Sequence, residues 1–180
     1  KRQLSKLIPF VRHWYGTQSK FCWEDDANTT HVIRQGEGGE QGDALMPALF
    51  CLALHSALQE LDAGFPDGTT LLAYLDDIYI VCDLGQAARI LARTRQVLRN
   101  TCNIDINIGK LVGWSKTIVP RPADLTQFGT DFWRTDKPPE ERGIRILGAP
   151  VGCDAYVSQF CADLLACLLY TSDAADDSQC

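Results

Sequence analysis

Residues 71–82 have the sequence Leu-Leu-Ala-Tyr-Leu-Asp-Asp-Ile-Tyr-Ile-Val-Cys, and this stretch decides the fold. Two apolar runs meet at the adjacent carboxylates Asp76 and Asp77, which predicts a hairpin with the pair at its tip. A plain polar turn is the alternative, but tight turns favour Asn-Gly or Asp-Gly because they need positive φ. Two like charges without glycine make more sense beside a divalent cation such as Mg²⁺, which prefers carboxylate oxygens. One or two such ions can hold the attacking and leaving oxygens of a phosphoryl transfer.

The segments after this hairpin predict a helix and a further strand. Residues 86–99 place a set of mainly apolar side chains on one helical face, namely Ala87, Ile90, Leu91, Thr94, Val97 and Leu98. Between residues 102 and 108, apolar and polar residues alternate, which predicts a strand with one buried face. Residues 120–141 are polar and contain prolines, so we expect a long loop there. The order strand, strand, helix, strand favours an α+β fold with a ferredoxin-like, split βαβ sheet.

The segments before the hairpin predict two more helices and a second hairpin. Residues 3–15 have the periodicity of an amphipathic helix that ends at Gly16, although Pro9 weakens its interior. Two strand-like runs, residues 19–23 and 30–35, flank a polar turn and predict the second hairpin.

A glycine-rich segment then leads into the longest apolar run of the chain. Asp43 stands where a helix cap is expected. The following residues, Leu45 to Leu61, are apolar almost all the way round, which predicts a buried helix.

The composition is that of one main globular domain. The 180 residues are 46% hydrophobic, and no apolar run approaches the roughly 20 residues that a membrane span needs. Eight cysteines are scattered without a Cys-x-x-Cys pair, which favours reduced thiols in an intracellular protein over a zinc site or a disulfide framework. Taken alone, the net charge of −6 argues against a nucleic-acid partner, because proteins that grip phosphates usually have a basic surface.

Four short motifs resemble those of one family, in the same order. Residues 74–77, Tyr-Leu-Asp-Asp, resemble the Tyr-x-Asp-Asp box of reverse transcriptases. Residues 41–50, Gln-Gly-Asp-Ala-Leu-Met-Pro-Ala-Leu-Phe, resemble the Gln-Gly-Asp-Pro-Leu-Ser-Pro-x-Leu-Phe segment, most closely that of non-LTR retrotransposon enzymes. Residues 106–110 resemble the downstream Leu-Asn-x-x-Lys box, and residues 146–148 resemble the Tyr-Leu-Gly of the primer grip. The resemblance extends from about Arg34 to Gly152.

This resemblance implies an RNA-directed DNA polymerase that transfers nucleotides to a primer 3′ end. Asp76 and Asp77 would be catalytic metal ligands, with Asp76 coordinating directly and Asp77 taking a smaller or indirect share. The cofactor would be Mg²⁺, with Mn²⁺ as an alternative ion. The partners would be a nucleic-acid template-primer and deoxynucleoside triphosphates, and no membrane partner is implied.

The resemblance also assigns roles outside the aspartate pair. Lys110 would be a catalytic residue that gives a proton to the leaving pyrophosphate, and a solvated surface lysine is the alternative. The nucleotide pocket would include Gln41, Gly42 and Tyr74. The primer grip would include Leu147 and Gly148.

Three parts of the chain are distinguished on this basis. Residues 1–142 would be a partial palm with a remnant of the fingers, and residues 143–166 a primer-grip-like segment and the start of the thumb. Residues 167–180 resemble the translated read-through of a sequencing adapter and are expected to be a non-native tail. The family's first catalytic aspartate is expected upstream of this chain, so the fragment alone is expected to be inactive.

Two departures and two rival functions accompany the resemblance. Ala44 and Met46 stand where the family usually has Pro and Ser. A palm-like nucleotide cyclase is disfavoured, because such enzymes lack a Gln-Gly-Asp helix box before the carboxylates. A non-catalytic relic or nucleic-acid-binding module with a palm-like fold stays open as the alternative.

Overall fold

The computed structural model describes residues 4–36, 39, 42–129 and 131–176, with side chains described as far as residue 168. The chain divides into two units, Lys1–Leu49 and Phe50–Cys180. Both units contain helical and antiparallel β structure, so the fold class is α+β, as the sequence predicts.

The described ranges contain four α-helices and six strands. The helices are α1 (Ile8–Tyr15), α2 (Met46–Gly64), α3 (Ala87–Cys102) and α4 (Asp154–Asp176). The strands are β1 (Lys20–Glu24), β2 (Thr30–Arg34), β3 (Thr70–Tyr74), β4 (Asp77–Val81), β5 (Gly143–Ile146) and β6 (Ala149–Gly152). Each strand pairs antiparallel with its sequence neighbour, which gives three separate two-stranded sheets.

The first unit begins with a 3₁₀ turn, Leu4–Leu7, that continues into α1. Pro9 lies in the first turn of α1, where its missing N–H removes no helical hydrogen bond and the helix is not broken. The N–H of Gly16 donates to the Arg12 carbonyl at 3.0 Å at the end of the helix. The helix predicted at the start of the chain is therefore confirmed within the described residues.

The β1–β2 hairpin is also confirmed, and an aspartate organises its turn. Asp25 Oδ1 accepts hydrogen bonds from the N–H groups of Ala27 at 3.0 Å and Thr29 at 2.9 Å. Its Oδ2 lies 2.8 Å from His31 Nε2. The bond to His31, followed by the backbone bonds, lowers the pKa of Asp25 below its ordinary value. Asp25 therefore closes a turn through its own side chain, as Asx residues commonly do.

Asp43 forms the cap that the sequence predicts before α2. Its Oδ1 accepts from the Leu45 N–H at 2.7 Å and from the Met46 N–H at 3.2 Å. The Tyr15 hydroxyl donates to the same carboxylate, 2.8 Å from each oxygen. The Leu45 bond, followed by the Tyr15 bond, lowers the pKa of Asp43. The start of α2 is therefore fixed by a carboxylate that is itself held by α1.

The main core of the second unit lies between α2, α3 and the β3–β4 hairpin. Its buried members are Leu54, Ala57, Leu61, Val97 and Leu98. Only the first three belong to α2, whereas Leu52 on the same helix is 45% exposed. The predicted burial of this helix is therefore seen along one face in the described ranges, and part of its apolar surface is exposed. The described partners cover one face of α2, where Phe50 and Leu58 are also half-buried against the core, whereas Leu52 on the other side faces solvent.

The β3–β4 hairpin presents one face to this core. Its register pairs Leu72 with Tyr79 and Tyr74 with Asp77. Because side chains alternate along strands, Leu71 and Ile78 lie on the opposite face, where both pack against the core. The hairpin is thus anchored through one face and open on the other.

The strand predicted between residues 102 and 108 is not formed, so the predicted split βαβ sheet is incomplete in the described chain. Helix α3 continues to Cys102, and Asn103 ends it in the left-handed conformation, with φ of 56°. The predicted alternation is present in the burial of the side chains, because Ile104 and Ile106 are half-buried against the main core while their neighbours are exposed. The segment pairs with no strand in the described ranges, and period-two burial alone does not make a sheet.

The predicted long loop over residues 120–141 is irregular but well packed. It contains the 3₁₀ turns Ala123–Phe128 and Pro139–Glu141. A second core forms around the buried side chains of Leu125, Phe132 and Trp133. The buried Thr135 hydroxyl accepts a hydrogen bond from the Ser115 N–H at 2.9 Å. The segment is therefore a structured layer rather than a solvated connection.

The β5–β6 hairpin and α4 complete the second unit. A Cβ at Gly143 would lie only 2.1 Å from the Tyr156 ring of α4, so glycine permits this close packing. Helix α4 extends to Asp176, beyond the position where a non-native tail is expected to begin. This helical backbone does not test the origin of the tail.

We predict that Leu61→Ala lowers the free energy of unfolding by about 2–5 kcal/mol, because it leaves a cavity in the main core. Leu61 is fully buried, at 0% exposure. Leu52→Ala is the matched control on the same helix and should change the free energy by about 0.5 kcal/mol or less. Urea denaturation of the purified chain measures both, and equal losses would contradict the assignment of the core.

The Asp43 cap should also make stability depend on pH. Because the folded pKa is depressed, its contribution is fully present above about pH 4 and is lost as the pH falls through the folded value. Asp43→Asn keeps a capping oxygen but cannot ionise, so it should flatten the acid side of the profile of unfolding free energy against pH. Asp43→Ala should lower stability most above about pH 4, where the ionised cap contributes fully, and less at lower pH. An unchanged acid limb in Asp43→Asn would show that other carboxylates dominate.

Candidate functional site

The tip of the β3–β4 hairpin carries the two aspartates where the sequence predicts them. Tyr74 pairs with Asp77, and Leu75 and Asp76 form the two-residue turn between them. Tyr74, Asp76 and Asp77 are all exposed. The carboxylates therefore stand at the solvent end of a hairpin whose other face is anchored in the core.

The backbone of this turn is strained at Leu75, which has φ of 54°. Left-handed conformations are uncommon for residues with bulky side chains and cost about 1–3 kcal/mol. The paired strands on both sides fix the turn and hold Leu75 in place. The sequence argument counted the lack of a glycine against a plain tight turn, but a two-residue turn forms here without glycine and its positive φ falls on Leu75.

The electrostatics of the tip suit a divalent cation. Asp76 and Asp77 are adjacent like charges, and no lysine, arginine or histidine in the described ranges forms an ion pair with either. Among the described residues, one side-chain hydrogen bond reaches the pair, from the Tyr79 hydroxyl, 3.3 Å from Asp77 Oδ2. Exposed carboxylate oxygens are the donors that Mg²⁺ and Mn²⁺ take. Within the described residues, no group of three or more acidic, histidine or cysteine side chains is assembled. The pair therefore fits as part of a metal site.

The turn of the β5–β6 hairpin approaches the same tip. Leu147 and Gly148 have φ of 48° and 88°, the two positive values of a type I′ turn. The N–H of Leu147 donates to the Tyr79 hydroxyl at 3.4 Å. Leu147, which is expected to form part of a primer grip, is thus connected to Asp77 through the Tyr79 hydroxyl.

Lys110 lies in the 3₁₀ turn Ile108–Lys110, which begins where the Asn107 side chain accepts the Gly109 N–H at 3.0 Å. Its side chain is exposed and forms no ion pair with Asp76 or Asp77. The structure therefore does not link Lys110 to the aspartates, and its catalytic role stays a prediction.

The expected nucleotide-pocket residues of the first unit are described in part. Gln41 lies outside the described residues. Gly42 is exposed with φ of 95°, a conformation that side chains rarely adopt, and it directly precedes the Asp43 cap. A glycine is therefore required at this entry to α2.

Tyr79 is a contact residue that the sequence argument missed. It lies two positions after Asp77 on β4 and therefore on the same face of the strand. The period of two along the strand is the signal that would have indicated it.

Comparisons with known proteins identify the family of this chain. Every helix in the described ranges is too short or too polar to span a bilayer. Comparison with curated proteins and with solved structures gave no match. A family model described as Reverse transcriptase (RNA-dependent DNA polymerase) matches residues 4–151, more than four fifths of the chain. The chain therefore belongs to the reverse transcriptase family.

Proposed function

We propose that this chain is part of an RNA-directed DNA polymerase and carries the metal-binding tip of its palm. The observation that supports this best is the exposed, unneutralised Asp76–Asp77 pair on an anchored hairpin, within a chain that matches the family. The reaction is nucleotidyl transfer from a deoxynucleoside triphosphate to a primer 3′ end along a template. The resemblance of residues 41–50 further supports an enzyme of the non-LTR retrotransposon type, and the predicted order of strands and helix supports a ferredoxin-like palm.

Asp76 and Asp77 are the residues that hold the metal in this proposal. Asp76 is a direct ligand, and Asp77 lies beside it, oriented by Tyr79. Bound Mg²⁺, or Mn²⁺ in its place, supplies positive charge that stabilises the attacking and leaving oxygens. The aspartates need no proton transfer of their own for this role, because they act as ionised oxygen donors.

The other proposed roles follow the motifs. Gln41, Gly42 and Tyr74 line the nucleotide pocket, where a glycine allows close approach of the backbone to a substrate. Leu147 and Gly148 hold the primer. Lys110 donates a proton to the leaving pyrophosphate. The partial palm, with a remnant of the fingers, comprises residues 1–142. The primer-grip-like segment and the start of the thumb comprise residues 143–166, and residues 167–180 are a non-native tail.

The 180-residue chain does not catalyse the reaction alone in this proposal. Two ions about 3.5–4 Å apart need more carboxylates than one adjacent pair supplies. The described residues assemble no third acidic ligand at the tip. Another segment of the enzyme completes the site, and weak Mg²⁺ binding without turnover is the behaviour of this chain. A non-catalytic relic would bind template-primer equally well and would stay inactive in every longer form.

Primer extension tests the proposal directly. The 180-residue chain should give no extension product, whereas a version extended upstream and freed of residues 167–180 should be active with Mg²⁺. In that active version, Asp76→Asn should abolish nucleotide addition and leave the affinity for template-primer nearly unchanged, because the amide removes a metal ligand and not a nucleic-acid contact.

Asp67→Asn is the matched control for this experiment. Asp67 is an exposed aspartate in the turn before β3, so its change removes the same charge near the opposite end of that strand. It should retain activity. Extension by the bare chain that Asp76→Asn abolishes would contradict the need for a further carboxylate, and a soluble but inactive extended version would favour the relic.

Lys110→Ala should slow incorporation by about 10²- to 10⁴-fold in the active version, the usual contribution of a general acid. The Mg²⁺ requirement should not change, because Lys110 is not a metal ligand. Single-turnover kinetics measure the rate, and Lys116→Ala removes another exposed lysine as the control. An effect smaller than about twofold would identify Lys110 as a surface residue.

A further inference from the structure

The Tyr79 hydroxyl lies between the two segments of the candidate site. It donates to Asp77 Oδ2 at 3.3 Å and accepts the backbone N–H of Leu147 at 3.4 Å. Asp77 and Leu147 are far apart in the sequence, and no other hydrogen bond joins their two hairpins in the described ranges. One side-chain oxygen thus connects a candidate metal ligand with the turn of another hairpin.

The chemistry of the three groups fixes the direction of this chain of hydrogen bonds. A backbone N–H can only donate, and an ionised carboxylate can only accept. A phenol has one proton and two lone pairs, so it can accept from Leu147 and donate to Asp77 at the same time. An O–H group that accepts a hydrogen bond is polarised and becomes a better donor. The contact with Leu147 therefore strengthens the hold on Asp77.

Both ends of this connection are fixed by backbone structure. Asp77 begins β4 directly after the strained turn at Leu75, and it is paired with Tyr74. Leu147 is held with φ of 48° in the tight β5–β6 turn. The distances of 3.3 Å and 3.4 Å are longer than usual for O–H···O and N–H···O hydrogen bonds, so both contacts are weak and sensitive to geometry. A small displacement of either hairpin would change them.

We propose that Tyr79 is a positioning residue that couples the Leu147–Gly148 turn to the orientation of the Asp77 carboxylate. The inference rests on the proposed function, in which Asp77 helps to bind the metal and the Leu147–Gly148 turn binds the primer. A primer seated on the turn then sets the metal ligand through Tyr79. The position of the primer end and the orientation of the Asp77 carboxylate are then coupled.

The coupling itself can be measured without metal or activity. In the ¹⁵N-labelled 180-residue chain, Asp77→Asn should move the amide resonance of Leu147 by more than its line width. The same change in a Tyr79→Phe background should move it by less than the line width, because the hydroxyl that transmits the effect is absent. A Tyr74→Phe background removes a hydroxyl from the same face of the hairpin and should retain the response.

An equal response of Leu147 in the wild-type and Tyr79→Phe backgrounds would overturn the proposal. So would the absence of any response in the wild type. If Tyr79→Phe does not fold, the amide resonances of wild type and Asp77→Asn still test the coupling. Movement at Leu147 with no movement at Gly143, the far end of the same hairpin, supports the coupling, and movement at both or at neither overturns it.

A Mg²⁺ titration separates this inference from the proposed function. Mg²⁺ should shift the amides of Asp76 and Asp77 in both wild type and Tyr79→Phe, and the amide of Leu147 in wild type alone. Coupling in the metal-free protein with no Mg²⁺ effect at the aspartates would support the Tyr79 connection and overturn the metal site. Mg²⁺ shifts at the aspartates with equal Leu147 shifts in both proteins would support the metal site and overturn the role of Tyr79.

Discussion

The packing of one face of the β3–β4 hairpin against α2 and α3 is the interaction on which the candidate site depends. Leu71 and Ile78 contact the cluster that contains Leu61 and Val97. Because side chains alternate along strands, this burial leaves the opposite face, with Tyr79 and the aspartate that follows the turn, outside the core. The alternation therefore anchors one face of the hairpin in the core and leaves the other exposed. The carboxylates are held in place by the packed face and stay in contact with solvent.

Local patterns predicted most of the fold correctly. The β1–β2 and β3–β4 hairpins, α1, α3 and the Asp43 cap each depend on neighbouring residues, and each is present, whereas the β5–β6 hairpin was not predicted. The strand expected after α3 failed for a non-local reason. The half-burial of Ile104 and Ile106 has the predicted period, but a strand needs a partner, and the segment meets side chains of the core instead. The loop over residues 120–141 was predicted, but its packing was not, because Leu125 and Trp133 are buried by residues distant in the sequence.

The location of the aspartates at a hairpin tip was predictable because their motif contains its own turn. The period of two along the strand would have placed Tyr79 on the face of Asp77, but only the folded chain shows its contact with Leu147. The net charge of −6 does not decide whether nucleic acid is a partner, because a whole-chain total hides local groups. Helix α3 alone carries four arginines, and only Arg99 among them forms an ion pair in the described ranges, with Asp105 at 2.7 Å.

The three separate two-stranded sheets have a practical consequence for work with this chain. Every strand in the described ranges has a single neighbour, so each one leaves a row of N–H and C=O groups without a strand partner. Such edges add strands from other molecules readily, above all where apolar side chains such as Val32 and Val81 are exposed beside them. Purification should therefore be done at low protein concentration, and oligomers that accumulate on concentration would be joined edge to edge, strand against strand.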